Sequence, residues 1–409
     1  MWTYRIIYSV FLLSAAPAVL GQQLLTVDEA VARAVASHPL LEAGTQQIAV
    51  SEGLRRQAGL APNPSVILQH ENIRSAPAAI PYWTFTDMFA YVEQRFETAG
   101  KRRRRVESAS AGVERAALEK ELLAKQLAGR VKQAYWAAAG AQRIYELLLE
   151  AARNFLLIVE YHEVRVREGA MAEADLLRIR LESERLNLAA KTAYLESERA
   201  RIDLFREMGV EDIPDAVRFE ALDLPPGGPV VADSERALTE RTEMKLARLA
   251  IRQAEMELRL AQANAKPDVT ALAGYKRTAG YNTLLAGVRF DLPFSDRNQG
   301  NVAAASARIA AAKAELAAAT AMVRAEVAAA AKAVSIRRRQ IIESLEPMRK
   351  EAMESSEIAR AAYREGGWDL LRLLDAERLR IEVETLYFRA LAEYRQSLAE
   401  LETAMGVAP

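Results

Sequence analysis

Arg167-Glu168-Gly169-Ala170-Met171-Ala172-Glu173-Ala174-Asp175-Leu176-Leu177 has a counterpart later in the chain: Arg364-Glu365-Gly366-Gly367-Trp368-Asp369-Leu370-Leu371-Arg372-Leu373-Leu374 carries the same Arg-Glu-Gly turn and the same leucine pair. In both places a long breaker-free run meets glycine, the residue that accepts the positive φ of a tight reversal, and a second helical run follows. Upstream of each turn the correspondence continues. Pro64-Ser65-Val66 and Pro267-Asp268-Val269 each open a strand-like run, and a helical run starts near Gly100 and again near Arg297. The two copies lie roughly 200 residues apart, too long a period for a stacked solenoid. The pattern predicts one duplicated unit, each half supplying two strands and two long helical stretches.

The expected boundaries are a signal peptide at 1–21, then a single unit at 22–409 made of repeats at about 22–208 and 233–408. An irregular Pro- and Gly-rich linker at 209–232 joins them, and the strands fall at about 65–97 and 268–294. Arg5, the apolar run 6–13 and the small residues Val19 and Gly21 read as a secretory signal, with cleavage expected before Gln22. No later stretch is apolar enough for a transmembrane helix, so any membrane insertion would be as a β-barrel. Cysteine is absent, which excludes disulfides, thiolate metal sites and a lipid on an N-terminal cysteine. Fifty-five basic residues balance 55 acidic ones, arguing against nucleic acid as a partner.

Thr26-Val27-Asp28-Glu29 resembles a capping box and predicts one helix to about Leu60. Extended runs follow at 65–74 and 83–97, separated by a loop at 75–82. Trp83, Phe85, Phe89 and Tyr91 share one face of the second run. From 284 to 294 the even positions Leu284, Ala286, Val288, Phe290, Leu292 and Phe294 are apolar, whereas the odd ones include Gly287, Arg289 and Asp291. One dry face and one wet face over such lengths fit a transmembrane barrel, and also an antiparallel sheet on a soluble core. Residues 100–168 and 297–365 each predict a helix roughly 100 Å long. In the second, Val302, Ile309, Leu316 and Val323 recur in heptads, and Val327, Val334, Ile341 and Met348 do so after a four-residue stutter.

Several of these stretches resemble the closing half of TolC-type outer-membrane factors. They are Glu346-Pro347-Met348-Arg349, Ala362-Tyr363-Arg364-Glu365-Gly366, Leu373-Leu374-Asp375-Ala376-Glu377-Arg378 and Leu398-Ala399-Glu400-Leu401-Glu402. The junction 291–300, Asp-Leu-Pro-Phe-Ser-Asp-Arg-Asn-Gln-Gly, resembles the branch serving heavy-metal and multidrug pumps of the resistance-nodulation-division type. The resemblance covers nearly all of 22–406. It implies a mainly α homotrimer in which four strands per chain close a 12-stranded barrel in outer-membrane lipid and long helical hairpins form a periplasmic tunnel. It also implies a periplasmic adaptor and an inner-membrane transporter as partners. Open strand edges are not tolerated in lipid, so four strands alone would not suffice. Many relatives carry a lipidated N-terminal cysteine where this chain has Gln22.

No catalytic constellation, phosphate loop or cofactor motif is visible, so the expected function is a passive exit channel rather than an enzyme. A type I protein-secretion duct is the alternative within transport, and a soluble periplasmic coiled-coil scaffold the alternative outside it. His38, His70 and His162 lack metal-ligand spacing and are expected to be solvated or lumen-facing. The run Lys101-Arg102-Arg103-Arg104-Arg105 is expected to be a solvated helix start, and Gly100-Lys101-Arg102 matches a structural family sequence there.

In the family the glycine turns form the periplasmic tip, which makes Gly169 and Gly366 the candidate turns for gating and adaptor docking. Arg364, Glu365, Asp369, Arg372 and Asp375 are the candidate gate, with a simple Arg372–Asp375 surface pair as the alternative. Relatives often place acidic residues six and nine positions past this glycine; here Asp375 matches and Arg372 does not. Leu176, Leu177, Leu373 and Leu374 are candidates for adaptor contacts or for helix packing.

Overall fold

The computed structural model describes residues 24–73, 86–226 and 232–407. The signal peptide, the loop 75–82, Trp83 and Phe85, and Gly227-Gly228 lie outside the described residues. The chain is mainly helical, with a four-stranded sheet and a two-stranded one. β1 (Leu24–Leu25), α1 (Val27–Ser37) and α2 (Pro39–Ala58) precede β2 (Ser65–Glu71), β3 (Asp87–Phe96), α3 (Lys101–Arg167) and α4 (Glu173–Met208). After β4 (Arg218–Phe219), α5 (Ser234–Glu240) and α6 (Thr242–Asn264) come β5 (Val269–Thr278), β6 (Tyr281–Phe290), α7 (Gln299–Gln340), a π turn (Ile341–Leu345), α8 (Glu346–Arg364) and α9 (Leu370–Ala404).

Thr26 caps α1 as expected, its Oγ1 accepting from the Glu29 N–H at 3.1 Å. The predicted single helix to Leu60 is nevertheless two. Pro39 disfavours helical backbone at His38, which sits at φ −65, ψ 128 and caps α2 through Nδ1, accepting from the Leu40 N–H at 3.1 Å.

α3 is 67 residues long, about 100 Å, and packs along α4. Its counterpart is also a near-continuous rod, but the π turn at Ile341–Leu345 shifts the register. Beyond it the buried stripe runs through Leu345, Ala352, Ser356 and Ala359, and Met348, predicted to continue the heptad, is 43% exposed. Pro347 supplies the cause. It cannot donate to the carbonyl four residues back, and its ring crowds that carbonyl, so the helix widens by one residue ahead of it.

β2, β3, β5 and β6 form one sheet in that order, antiparallel throughout, with β2 and β6 at its edges. Ala279 and Gly280 turn β5 into β6 at φ 48 and 83, the positive pair a two-residue hairpin requires. The β6 ladder stops at Phe290, opposite Val269, so Leu292 and Phe294 lie past the strand. Pro293 has no N–H with which to continue it.

The register aligns Val66 and Leu68, Met88, Ala90 and Val92, Ala271 and Ala273, and Leu284, Ala286 and Val288 on one apolar face. Leu284 is 91% exposed and Leu68 75%, so no other described part of the chain covers them. The opposite face carries Gln69, Glu93, Arg95, Lys276 and Arg289, with Arg289 paired to Glu93 at 3.1 Å. Phe89 and Tyr91 do share a face, but it is this polar one. Lys276 Nζ lies 5.0 Å from the Phe89 ring centroid, and Tyr91 covers Gly274.

The main core lies midway along the rods, where α1, α3, α4, α7 and α9 meet the segment between the repeats. That segment is less irregular than expected. Its β4 pairs in parallel with β1, and the fully buried Tyr135 ties both down: its hydroxyl donates to the Leu25 carbonyl at 2.7 Å and accepts from the Glu220 N–H at 3.0 Å. Two much smaller clusters hold the helices together toward the glycine turns. No described helix is long and apolar enough to cross a membrane.

Candidate functional site: the hairpin tip

Gly169 and Gly366 adopt φ 71 and 76. At each, the helix closes with backbone bonds that satisfy its last carbonyls: Ala170 N–H donates to Arg165 O at 2.8 Å, and Gly367 N–H to Ala362 O at 2.9 Å. The sequence expectation of two glycine-made reversals therefore matches the backbone seen. The two turns share one small core, in which Val159, Ile179 and Leu370 are buried and Met171, Tyr363 and Leu374 pack against them.

Among the gate candidates, Asp369 caps α9, its Oδ1 accepting from the Arg372 N–H at 3.0 Å. The Arg372 guanidinium lies 5.7 Å from the Trp368 ring centroid rather than pairing with Asp375, so the simple surface-pair alternative is not what forms. Arg364, Glu365, Arg372 and Asp375 are all exposed. The leucines divide. Leu176 and Leu373 are buried within the chain and Leu374 is half-buried, whereas Leu177 is 52% exposed. Leu371, not singled out by the sequence pattern, is 53% exposed beside them.

His162 corrects the expectation of a solvated or lumen-facing ring, being 1% exposed. Nδ1 lies 2.7 Å from the Ile158 carbonyl, which can only accept, so Nδ1 carries the proton. Nε2 then accepts from the Tyr363 hydroxyl at 2.6 Å, linking the first repeat's long helix to the second's. Burial pushes the imidazole below its ordinary value; the Ile158 carbonyl opposes this and the nearby Arg165 adds to it.

Further from the tip, Glu377 is buried at 1% exposure between Ser356, whose Oγ donates at 2.7 Å, and Arg360, whose Nη2 donates at 2.8 Å. Arg380 bridges Glu377 to Glu384, 2.7 Å away, and Arg349 extends the series by lying over Tyr387 at 4.7 Å. Burial alone would raise the Glu377 pKa, yet Arg360, Ser356 and Arg380 together hold it below the ordinary carboxylate value.

At the other end, the basic run is not simply solvated. Lys101 is 7% exposed and its Nζ donates to Asp268 at 2.7 Å, while Arg105 pairs with Glu97. No group of three metal-ligating side chains is present among the described residues.

Long helical hairpins bearing a four-stranded sheet with one exposed apolar face and one polar face are what a shared transmembrane barrel with a helical extension would require of each chain. Residues 234–407 match the family model described as "Outer membrane efflux protein". That match covers most of the second repeat, and a likeness of fold to solved outer-membrane channels extends over almost the whole chain. The chain is 24% identical to the cobalt-zinc-cadmium resistance protein CzcC of Cupriavidus metallidurans, over 93% of this chain and 90% of that one. Its fold is similar to the Campylobacter jejuni CmeC outer-membrane channel at TM-score 0.78 and 17% identity, covering 93% and 85% of the two chains. It is likewise similar to the open state of the Neisseria gonorrhoeae MtrE channel at TM-score 0.74 and 19% identity, covering 93% and 88%.

Proposed function

We propose that this chain is one third of a passive exit duct in a tripartite efflux pump. Three copies of its sheet would pair edge to edge into a 12-stranded barrel, and its helices would line a periplasmic tunnel fed by an adaptor and an inner-membrane transporter of the resistance-nodulation-division type. The two β–β–α–α halves are read as a gene duplication. The observation carrying this is the sheet itself. Its outer edges, β2 and β6, have no further strand beside them among the described residues, and its apolar face is open there. In hydrocarbon both conditions are resolved by closure with further copies. The tip residues Arg364, Glu365, Arg372 and Asp375 serve as the gate, and the exposed Leu177 belongs to the adaptor surface. Light scattering in detergent, on material extracted from outer membranes, tests the proposal. Three mature chains per particle support it; a monomer, or protein confined to the soluble periplasm, overturns it.

A further inference from the structure

Between α3 and the α8–α9 hairpin, close to the turns, lies an open cavity of about 590 Å³, within the size range of small-molecule sites. Its floor is apolar: Phe155 is 2% exposed, and Ile158 and Leu157 continue the surface outward. Tyr161 and Tyr363 add aromatic walls.

The polar lining is lopsided. Arg165, Arg360, Arg364 and Arg380 converge on it, against the single carboxylate of Glu377. That carboxylate is already engaged by Arg360, Arg380 and Ser356. Arg165 and Arg364 are in no ion pair among the described residues; the Arg165 guanidinium lies 5.9 Å from the Tyr161 ring centroid. An apolar floor under guanidinium groups with no carboxylate partner selects a ligand with a flat apolar body and an anionic head. Arginine supplies a planar fork for a carboxylate, and the aromatic walls can stack on the body.

We propose that this cavity is a binding site for small aromatic carboxylates, with Arg165 and Arg364 holding the head group and Phe155, Leu157 and Tyr161 the body. The site lies within one chain and does not depend on the pump assignment.

Titration calorimetry of the full chain in a neutral detergent, blanked against micelles, tests it with naphthoate and its uncharged analogue naphthamide. Naphthoate is expected to bind at least about tenfold more tightly than naphthamide, the scale of one lost charge-assisted contact. The double variant Arg165→Gln/Arg364→Gln should lose that margin, and Leu157→Trp, which fills the cavity from an exposed position, should weaken both compounds. Equal affinity for the two compounds, no binding of naphthoate, or unchanged naphthoate binding in a folded double variant would each overturn the site. Should the glutamine variant fail to fold, Leu157→Trp decides: undiminished naphthoate binding there places the ligand elsewhere.

Discussion

Lys101 Nζ lies 2.7 Å from Asp268 Oδ1, joining the first turn of α3 to the residue just before β5. The same carboxylate accepts from the Thr98 N–H at 3.1 Å, so one aspartate fixes where a rod of the first repeat leaves the sheet of the second. With the Lys101 side chain 9% exposed and that of Asp268 22%, the pair is neither fully dry nor solvated. Asp268→Ala should therefore cost about 2 kcal/mol, between surface and buried values, because it strands a buried ammonium. Denaturant unfolding of the detergent-solubilised protein measures this. Lys101→Met, which removes the charge but keeps the stem, should cost less.

The His162–Tyr363 hydrogen bond predicts a pH dependence of the tip. A neutral imidazole with a depressed pKa takes up a proton less readily when folded than when unfolded. Local stability is thus unaffected above about 6.5, falls as pH drops from there toward the folded value, and is level below it. The charged or titratable groups around the ring are Tyr161 and Arg165 on α3, Arg360, Tyr363 and Arg364 on α8, and Glu377 and Arg380 on α9. Asp175 on α4 adds its charge near Tyr363. Hydrogen exchange around 158–166 and 360–366, corrected for intrinsic rates, should quicken between pH 7 and pH 5.5, and Tyr363→Phe should quicken it at both. Loss of that one neutral bond amounts to about 1 kcal/mol.

Glu377 gives the fold a second pH dependence. Its folded pKa is lowered, so its contribution is complete above the ordinary value of 4.5 and is lost as pH falls through the folded one. Glu377→Ala leaves Arg360 and Arg380 without their shared carboxylate. The Arg360 side chain is 42% exposed, so water recovers part of the loss, and a destabilisation of about 2 kcal/mol is expected. Thermal unfolding should separate the variant from wild type at pH 7, and the gap should narrow as the pH falls below 4.5 toward the folded value.

What the sequence made legible follows the reach of each signal. Glycine at the end of a helical run identified both reversals, because the positive φ is a property of that one position. Alternation from Leu284 to Phe290 identified a two-faced strand, because register and pleat are local. The same rule grouped Phe89 with Tyr91 but could not say which face was wet. That depends in part on Lys276, which meets Phe89 through pairing with a strand almost 190 residues away. His162 was misread for the same reason, since its burial and its bond to Tyr363 arise where two distant hairpins touch. The π turn left one local trace, Pro347, which a heptad count passes over.

Gly274 and Gly366 separate two kinds of glycine requirement. A Cβ at Gly366 would meet open space, so Gly366→Ala costs only the left-handed backbone, about 1 kcal/mol, confined to the tip. A Cβ at Gly274 would overlap Tyr91 and the Ala90 carbonyl on the neighbouring strand. Gly274→Ala should therefore separate β3 from β5 and, on the barrel proposed above, keep the protein from inserting into the outer membrane. Membrane fractionation of the two variants distinguishes them: Gly366→Ala inserts and Gly274→Ala does not.

The gate reading makes the last prediction, and the charge of Arg372 gives it a sign. If the exposed Arg372 and Asp375 side chains face the closing tunnel, each contributes one charge per chain to a ring around it. Arg372→Ala would leave the ring more negative and shift selectivity toward cations, and Asp375→Ala would shift it toward anions, each by about twofold in permeability ratio. Planar-bilayer recordings measure both, and both substitutions should also raise conductance by widening the tip. Wild-type conductance and selectivity in the two variants would place these side chains outside the constriction and return the tip's closure to its packing, the buried Leu370 and Val159 and the His162–Tyr363 bond.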